Sequence, residues 1–395
     1  MIQFEFYSPT KVIFGKDTEK NAGKEIKARG GKRVLVHFGG DGSRLKKSGV
    51  LDRIHQGLED AGLSYVDFGG VVPNPRLGLV KEGIRLCREE GVDFLLPVGG
   101  GSAIDSAKGI GYGMVNDFEL EDLLLGKVST DRIAPMGCVS TIAATGSETS
   151  NSMVLTIEDG MLKRSYNHDC ARPKFAILNP ELTYTLPVYQ TASGASDIMM
   201  HTMERYFTPS KTDTDLIDRM AEGLLVSVRE ATLTAVREPD NYDARATLMW
   251  AGSLSHNGLT GTGRVSDFAS HKIEHELGGM FDVAHGAGLC AVWGSWARYV
   301  LKTNPSRFAQ FGIRVFDVPE NFSSTEATAY KAIEAWENWC RRIGMPTSLN
   351  ELGITPTDAQ IEEMAEKCVS TGGGHVGFFQ PLDKDDIVKI LEMAR

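Results

Sequence analysis

The amino-acid sequence predicts a two-part fold: an α/β domain over residues 1–185, built on a parallel, doubly wound sheet, and an all-α domain over residues 186–395. Three observations carry this. The chain has 395 residues, more than one compact core accommodates. Its first half alternates short apolar runs with amphipathic segments joined by glycine turns, the pattern of strand–helix–strand units. Beyond Asn179-Pro180, and again at Leu186-Pro187, the pattern breaks, and nearly everything that follows has helical periodicity.

The elements follow in order. Residues 34–38 (VLVHF) form a strand that ends at Gly39 and Gly40. Residues 47–61 form a helix with Val50, Leu51, Ile54 and Leu58 on one face. Residues 65–68 are a short strand and residues 75–90 a helix. Residues 94–98 (FLLPV) are a buried strand that runs straight into glycines. Strands at 134–141 and 175–178 complete the set. In the second half, helices are expected over 191–207, 214–230, 241–257, 266–277, 287–301, 324–343 and 357–368. A loop is expected at the glycines 372–374, before His375.

Composition excludes several classes. Apolar residues make up 42% and charged residues 24%, as in ordinary soluble globular proteins. No stretch approaches the roughly 18 apolar residues of a membrane span, so no membrane partner is expected. The first residues, MIQFEFYSPTKVIFG, lack a basic region followed by an apolar run, so no signal peptide is expected. A net charge of -10 argues against nucleic-acid binding. The six cysteines are scattered, without a CxxC pair, which points to reduced thiols and a cytoplasmic protein.

A phosphate cradle is expected where the strand at 94–98 runs through Gly99, Gly100, Gly101 and Ser102 into a helix carrying Asp105 and Lys108. Missing Cβ atoms let backbone N–H groups approach a pyrophosphate, and a helix N-terminus adds partial positive charge. The segment is neither GxGxxG nor a Walker loop, and a plain strand-to-helix turn is its bland alternative. A second loop, residues 141–150 (TIAATGSETS), carries hydroxyls suited to ribose, phosphate or a nicotinamide amide. Two such loops at neighbouring strand ends fit ligand binding at the carboxyl edge of an α/β sheet. The turn Gly39-Gly40-Asp41-Gly42-Ser43-Arg44, with Lys46 and Lys47 behind it, bears on the choice of dinucleotide. Ser43, Arg44 and the lysines suit a 2′-phosphate, whereas Asp41 suits a free ribose hydroxyl. The balance favours NADP(H) over NAD(H).

Asp197 and His201 stand four apart, on one face of an expected helix, and His271 and His275 repeat that spacing. His285 follows after a break expected at Gly278-Gly279. A lone histidine on a helix is usually structural, but DxxxH with HxxxHx(9)H can converge on one divalent metal. Imidazole and carboxylate without thiolate suit Fe2+ or Zn2+. Lys272 beside the first histidine rules out the HExxH protease pattern. A metal next to a dinucleotide equips a protein for hydride transfer between a nicotinamide and an alcohol or aldehyde. Of the five residues, His275 is assigned to proton passage; its alternative is to orient a ligand.

These segments together resemble the iron-containing, or group III, alcohol dehydrogenases, in particular their butanol dehydrogenase and broad-range aldehyde reductase branch. The resemblance runs nearly end to end: FYSPTKVIFGK, LLPVGGGSAIDSAKGI, STIAATGSETS, FAILNPELTYTLP, SDIMMHTMERYF, HKIEHELGGMFDVAHGAGL and GFFQPLDKDDIVKIL. It implies a dehydroquinate synthase-like architecture, with a dinucleotide domain, a helical domain, and metal and substrate in the cleft between. It also implies Asp197, His201, His271 and His285 as iron ligands, with His275 beside them. Gly99–Ser102 would hold the pyrophosphate, Asp105 would face the nicotinamide, and Thr141, Thr145 and Ser147 would form the second cofactor loop. Lys163 resembles a cofactor-facing lysine. The turn at residues 39–47, with Gly39, Gly40 and Ser43, is longer than the GGGS turn of the NADP-using branch. The expected substrate is a small to medium primary alcohol or its aldehyde, and the expected assembly a homodimer. Rival readings are a glycerol- or lactaldehyde-type NAD-dependent dehydrogenase, a dehydroquinate synthase-like lyase, and a non-catalytic metal- and nucleotide-binding protein. The lyase needs extra Lys or Arg near the metal, where this chain has Ile198, Met199, Met200, Phe268, Met280 and Phe281.

Overall fold

Short apolar runs rich in β-branched residues form the strands of the first half. The structure, a computed structural model, describes residues 1–370 and 373–395. Gly372, the first glycine of the loop expected before His375, lies outside the described residues. The strands are β1 (Lys11–Phe14), β2 (Arg33–Gly39), β3 (Ser64–Val71), β4 (Phe94–Gly99), β5 (Cys138–Ser140), β6 (Ser152–Ile157), β7 (Leu162–Asn167) and β8 (Phe175–Leu178). Six of them make one sheet in the order β1-β8-β5-β4-β2-β3, with every pair parallel.

Helices α1 (Ala22–Lys27), α2 (Ser43–Lys47), α3 (Val50–Asp60), α4 (Leu77–Glu90), α5 (Gly101–Val115) and α6 (Leu120–Leu124) join the strands. Successive strand residues feed opposite cores. Leu35, Leu95, Cys138 and Ala176 pack with Val80 and Cys87 of α4 and Ile104, Ala107 and Ile110 of α5. Val34, Val36, Leu96, Val98 and Ile177 pack with Ile26 of α1 and Leu51, Ile54 and Leu58 of α3. Burial on both faces explains why these strands read as unbroken apolar runs. The winding reverses between β2 and β4, so the carboxyl ends of those two strands flank the ligand crevice of a doubly wound sheet.

Several elements differ from expectation. The helix expected at 47–61 starts later, as α3 at Val50, because Gly49 takes a left-handed φ of 68° ahead of it, and Lys47 instead ends α2. The strand expected at 134–141 shrinks to β5, preceded by a single bridge from Met136 to Leu95. β6 and β7 form an antiparallel hairpin that the sequence did not announce, since Lys163, Arg164 and Ser165 interrupt its apolar pattern.

The remaining helices are α7 (Val188–Tyr206), α8 (Asp215–Ala235), α9 (Tyr242–His256), α10 (Ala269–Phe281), α11 (His285–Val300), α12 (Pro305–Phe316), α13 (Thr325–Arg342), α14 (Asp358–Ser370) and α15 (Lys384–Ala394). Periodicity alone does not predict α12 and α15, although both carry start signals. Pro305 opens α12 after an Asn304 cap, and Asp383 and Asp386 form a capping box on α15. Gly278 and Gly279 do not break α10. The helix continues through both and stops at Asp282, whose φ is 52°. By internal contacts the chain divides into two units: Tyr7–Leu186, and Pro187–Arg395 together with Met1–Phe6. In the second unit, Ile2 N donates to Gly263 O at 2.9 Å. Its core holds Trp293, Trp296, Trp336, Phe308 and Phe311, all fully buried. Among the described residues no helix is long and apolar enough to cross a membrane.

Candidate metal centre and dinucleotide site

Helical spacing brings the metal candidates together. Asp197 and His201 lie one turn apart on α7, His271 sits in the first turn of α10, and His285 is the first residue of α11. Their polar atoms converge on Asp197 Oδ1. His201 Nε2 stands 3.3 Å from it, His285 Nε2 3.7 Å and His271 Nε2 3.8 Å. Ligand atoms of Asp197, His201 and His271 all lie within 4.8 Å of one another, and those of Glu274, His275 and His285 do the same. Asp197 Oδ1 and His271 Nε2 are buried and make no hydrogen bond. Unpaired buried polar atoms are costly, and a cation between them removes the cost. The donor set could hold a divalent metal ion.

The outer layer is more telling. Glu204 Oε1 accepts from the backbone N of His271 and meets its Nδ1, each at 3.0 Å. Glu274 Oε2 makes a short hydrogen bond with His285 Nδ1. With Nδ1 engaged, each ring is left to present Nε2 toward Asp197. A metal-binding histidine is commonly oriented by a carboxylate in this way. Sequence reasoning missed both glutamates. Their signal was present: each stands three residues after a candidate ligand, in HTME and HKIE. Burial lowers the pKa of His201 well below its usual value, with His256 and His271 adding to it, so the ring is a neutral donor. Burial also presses on His271, but Asp197 and Glu204 outweigh it and hold its pKa at about 9, a sign of a field that favours cations. His275 is buried, its ring 5.9 Å from that of His285. Half-buried Phe268 stands 5.3 Å from the His271 ring and 6.2 Å from that of His201. Ile198, Met199 and Met200 are fully buried in the helical core and say nothing about a substrate.

In the α/β unit, Gly99 closes β4 and Gly101 opens α5, so Gly99, Gly100, Gly101 and Ser102 form the strand-to-helix turn. The second loop packs directly on it. Thr141 N donates to Gly99 O at 3.1 Å, and a Cβ on Gly101 would lie 2.4 Å from Thr145 Oγ1, so a side chain there would displace Thr145. Gly39 ends β2 alongside, Gly40 follows it and Ser43 opens α2, Phe38 being in register with Val98 of β4. Asp41 Oδ1 accepts from Ser43 N at 2.9 Å, and Arg44 donates to Thr185 Oγ1 at 3.2 Å.

Asp105 is anchored within the α/β unit. Its Oδ1 accepts from Ser147 Oγ at 2.5 Å and its Oδ2 from Val154 N at 3.0 Å, so both oxygens engage the second loop and the hairpin. Lys108, fully buried, donates to Ser147 O and Oγ at 2.9 Å, to Ser150 O at 3.2 Å and to Ser152 O at 2.6 Å. That ammonium fastens the loop to α5, a role no sequence pattern distinguished from an ordinary surface lysine. Lys163, also buried, sits on β7 opposite Thr156 and acts electrostatically on Asp105.

A glycine-rich turn at the switch point of a parallel sheet, in a chain where buried Asp197, His201 and His271 meet half-buried His285, defines a metal-dependent oxidoreductase that uses a dinucleotide. Comparison with known proteins places it further. Residues 9–180 match the iron-containing alcohol dehydrogenases, and residues 191–395 match the C-terminal part of that family. The chain belongs to the iron-containing alcohol dehydrogenase family. It is 37% identical to NADH-dependent butanol dehydrogenase A of Clostridium acetobutylicum and 34% identical to the NADPH-dependent aldehyde reductase YqhD of Escherichia coli, each match covering 100% of both chains. The crystal structure of NADH-dependent butanol dehydrogenase A from Thermotoga maritima superposes with a TM-score of 0.95 at 34% identity, covering 100% of this chain and 99% of that one. The chain is thus an NAD(P)-dependent alcohol dehydrogenase or aldehyde reductase of the iron type.

Proposed function

We propose that this enzyme interconverts small to medium primary alcohols and their aldehydes, with Asp197, His201, His271 and His285 holding Fe2+ (Zn2+ fits the same donors). The observation that carries this reading is the convergence of three imidazole nitrogens on the buried Asp197 Oδ1. The metal, when bound, supplies Lewis acidity to the substrate oxygen. Glu204 and Glu274 keep two of the rings turned for binding. Phe268 gives the donors an apolar neighbour, which suits an uncharged substrate better than the phosphorylated substrate of a lyase. His275, buried beside His285, exchanges the proton that accompanies hydride transfer.

The coenzyme is held by the turn Gly99–Ser102 and the N-terminus of α5, which suit a pyrophosphate. Thr141, Thr145 and Ser147 supply hydroxyls, and Asp105 and Lys163 keep the loop and hairpin in place around them. Gly39, Gly40 and Ser43 receive the adenosine ribose. Ser43 and the basic residues behind it favour NADP(H). One observation favours NAD(H) instead: Asp41 is ionised and exposed at that turn, its pKa lowered by the backbone N–H of Ser43. A 2′-phosphate beside it would meet like charge. The exposed apolar residues Phe4, Phe6 and Tyr7 support a homodimer. Six free cysteines support a cytoplasmic location.

One set of measurements tests the reading. Metal analysis of the purified protein is combined with kinetics for butanal, lactaldehyde, methylglyoxal and glycerol against both dinucleotides. Butanal with NADPH should give the highest kcat/KM, and Asp197→Ala or His271→Ala should abolish turnover while dinucleotide binding is kept. Full activity in either variant, or in metal-stripped enzyme, contradicts the metal assignment. A preference for NADH that Asp41→Asn reverses would establish the second coenzyme reading.

A further inference from the structure

His201 is the one imidazole of the three that no carboxylate orients through Nδ1. Nδ1 of His271 meets Glu204 and Nδ1 of His285 meets Glu274, but Nδ1 of His201 is buried without a hydrogen-bond partner. The torsion that turns an imidazole about its Cβ–Cγ bond has broad wells, so burial in a donor cluster does not by itself fix which nitrogen faces the metal. His201 has a different support. His256, the last residue of α9, lies against its ring, with centroids 3.9 Å apart and 41° between the planes. No other ring pair among the described residues approaches as closely. Phe268 stands farther off, at 6.2 Å.

We propose that His256 is a positioning residue of the metal centre, whose ring holds the His201 imidazole by close tilted contact so that Nε2 faces Asp197 Oδ1. The three histidines would then be oriented by two different devices, hydrogen bonds for His271 and His285 and ring contact for His201. This rests on reading Asp197, His201, His271 and His285 as the ligands. It adds a fifth histidine that neither ligates nor exchanges protons, and it makes α9 a structural part of the site.

The test measures metal affinity by chelator competition, together with the melting temperature of the metal-free protein, for His256→Ala, His256→Phe and Asp197→Ala. Loss of an orienting neighbour typically weakens metal binding by about 10-fold or more. His256→Ala should lose about that much affinity with the metal-free melting temperature unchanged, and His256→Phe, which keeps a ring on the same face, should restore it. Wild-type affinity in His256→Ala overturns the proposal. So does a His256→Phe variant as weak as His256→Ala, because the imidazole would then be acting through its nitrogens. A fall in metal-free stability that accounts for the lost affinity also overturns it, since His256 would then be a packing residue only. Wild-type affinity in Asp197→Ala would instead refute the ligand assignment itself, and so the two failures are told apart.

Discussion

Buried histidines in this protein are held in different charge states by different neighbours, and His37 shows the consequence most simply. It is fully buried on β2, with Nδ1 2.7 Å from Phe68 O and Nε2 2.8 Å from Ser106 Oγ. Nδ1–H donates to that carbonyl, which leaves Nε2 to accept from the serine. Burial lowers its pKa to about 4, although the carbonyl partly opposes this. In the unfolded chain the ring titrates near its ordinary value of 6.5. Between those values the unfolded state binds the proton and the folded state does not, so stability rises with pH across the window. The contribution is fully present above pH 6.5 and is lost as pH falls toward 4. From pH 7.5 to pH 5 the loss is about 2 kcal/mol, at roughly 1.36 kcal/mol per pH unit below about 6.5. Denaturant unfolding of wild type and His37→Asn at both pH values checks this. The variant should lose about 2 kcal/mol less than wild type over that interval, and parallel losses would mean that His37 is protonated in the fold.

At the scale of elements, what was legible in the sequence was periodicity. Asp197, His201, His271 and His285 could be singled out because i,i+4 pairs share a helix face, and the glycine turn because a buried strand ran into it. The rest depended on tertiary contact. Glu204, Glu274 and Lys108 look like solvated charges in the sequence and become buried hydrogen-bonding partners only when α7, α10 and α11, or α5 and the second loop, meet. The expected break at Gly278-Gly279 failed for the same reason: both glycines are buried in α10, so they belong to helix packing and not to a turn. Gly286 makes a similar demand one residue after His285. A Cβ there would fall 1.9 Å from Ser193 O of α7, so α11 could not keep its approach to the helix that carries Asp197. Gly286→Ala should therefore displace His285 and cost about 1–3 kcal/mol of stability through overpacking. Metal content and thermal melts measure both effects. Full metal occupancy in that variant would show that the α7–α11 contact can relax without loss of the site.

The molecule as a whole folds as two units with separate cores, and this makes a ligand's contribution to each separable. All five tryptophans, Trp250, Trp293, Trp296, Trp336 and Trp339, lie in the unit Pro187–Arg395, together with every metal candidate. Tryptophan fluorescence therefore reports that unit alone, while circular dichroism sums both. A ligand that binds only the folded state stabilises it by RT ln(1 + [L]/Kd), about 2.7 kcal/mol at roughly 100 times Kd. For a unit of this size each kcal/mol moves the melting temperature by about 2–4 °C. Chelation of the metal should thus lower the fluorescence-detected transition by about 5–10 °C. NADPH added to chelated protein should leave that transition where it is and raise a component seen only by circular dichroism. If chelation moves the circular-dichroism transition but not the fluorescence one, the ion belongs to the α/β unit and the Asp197 cluster is not its site. If both probes shift together under either ligand, the units unfold as one and their stabilities are not separable.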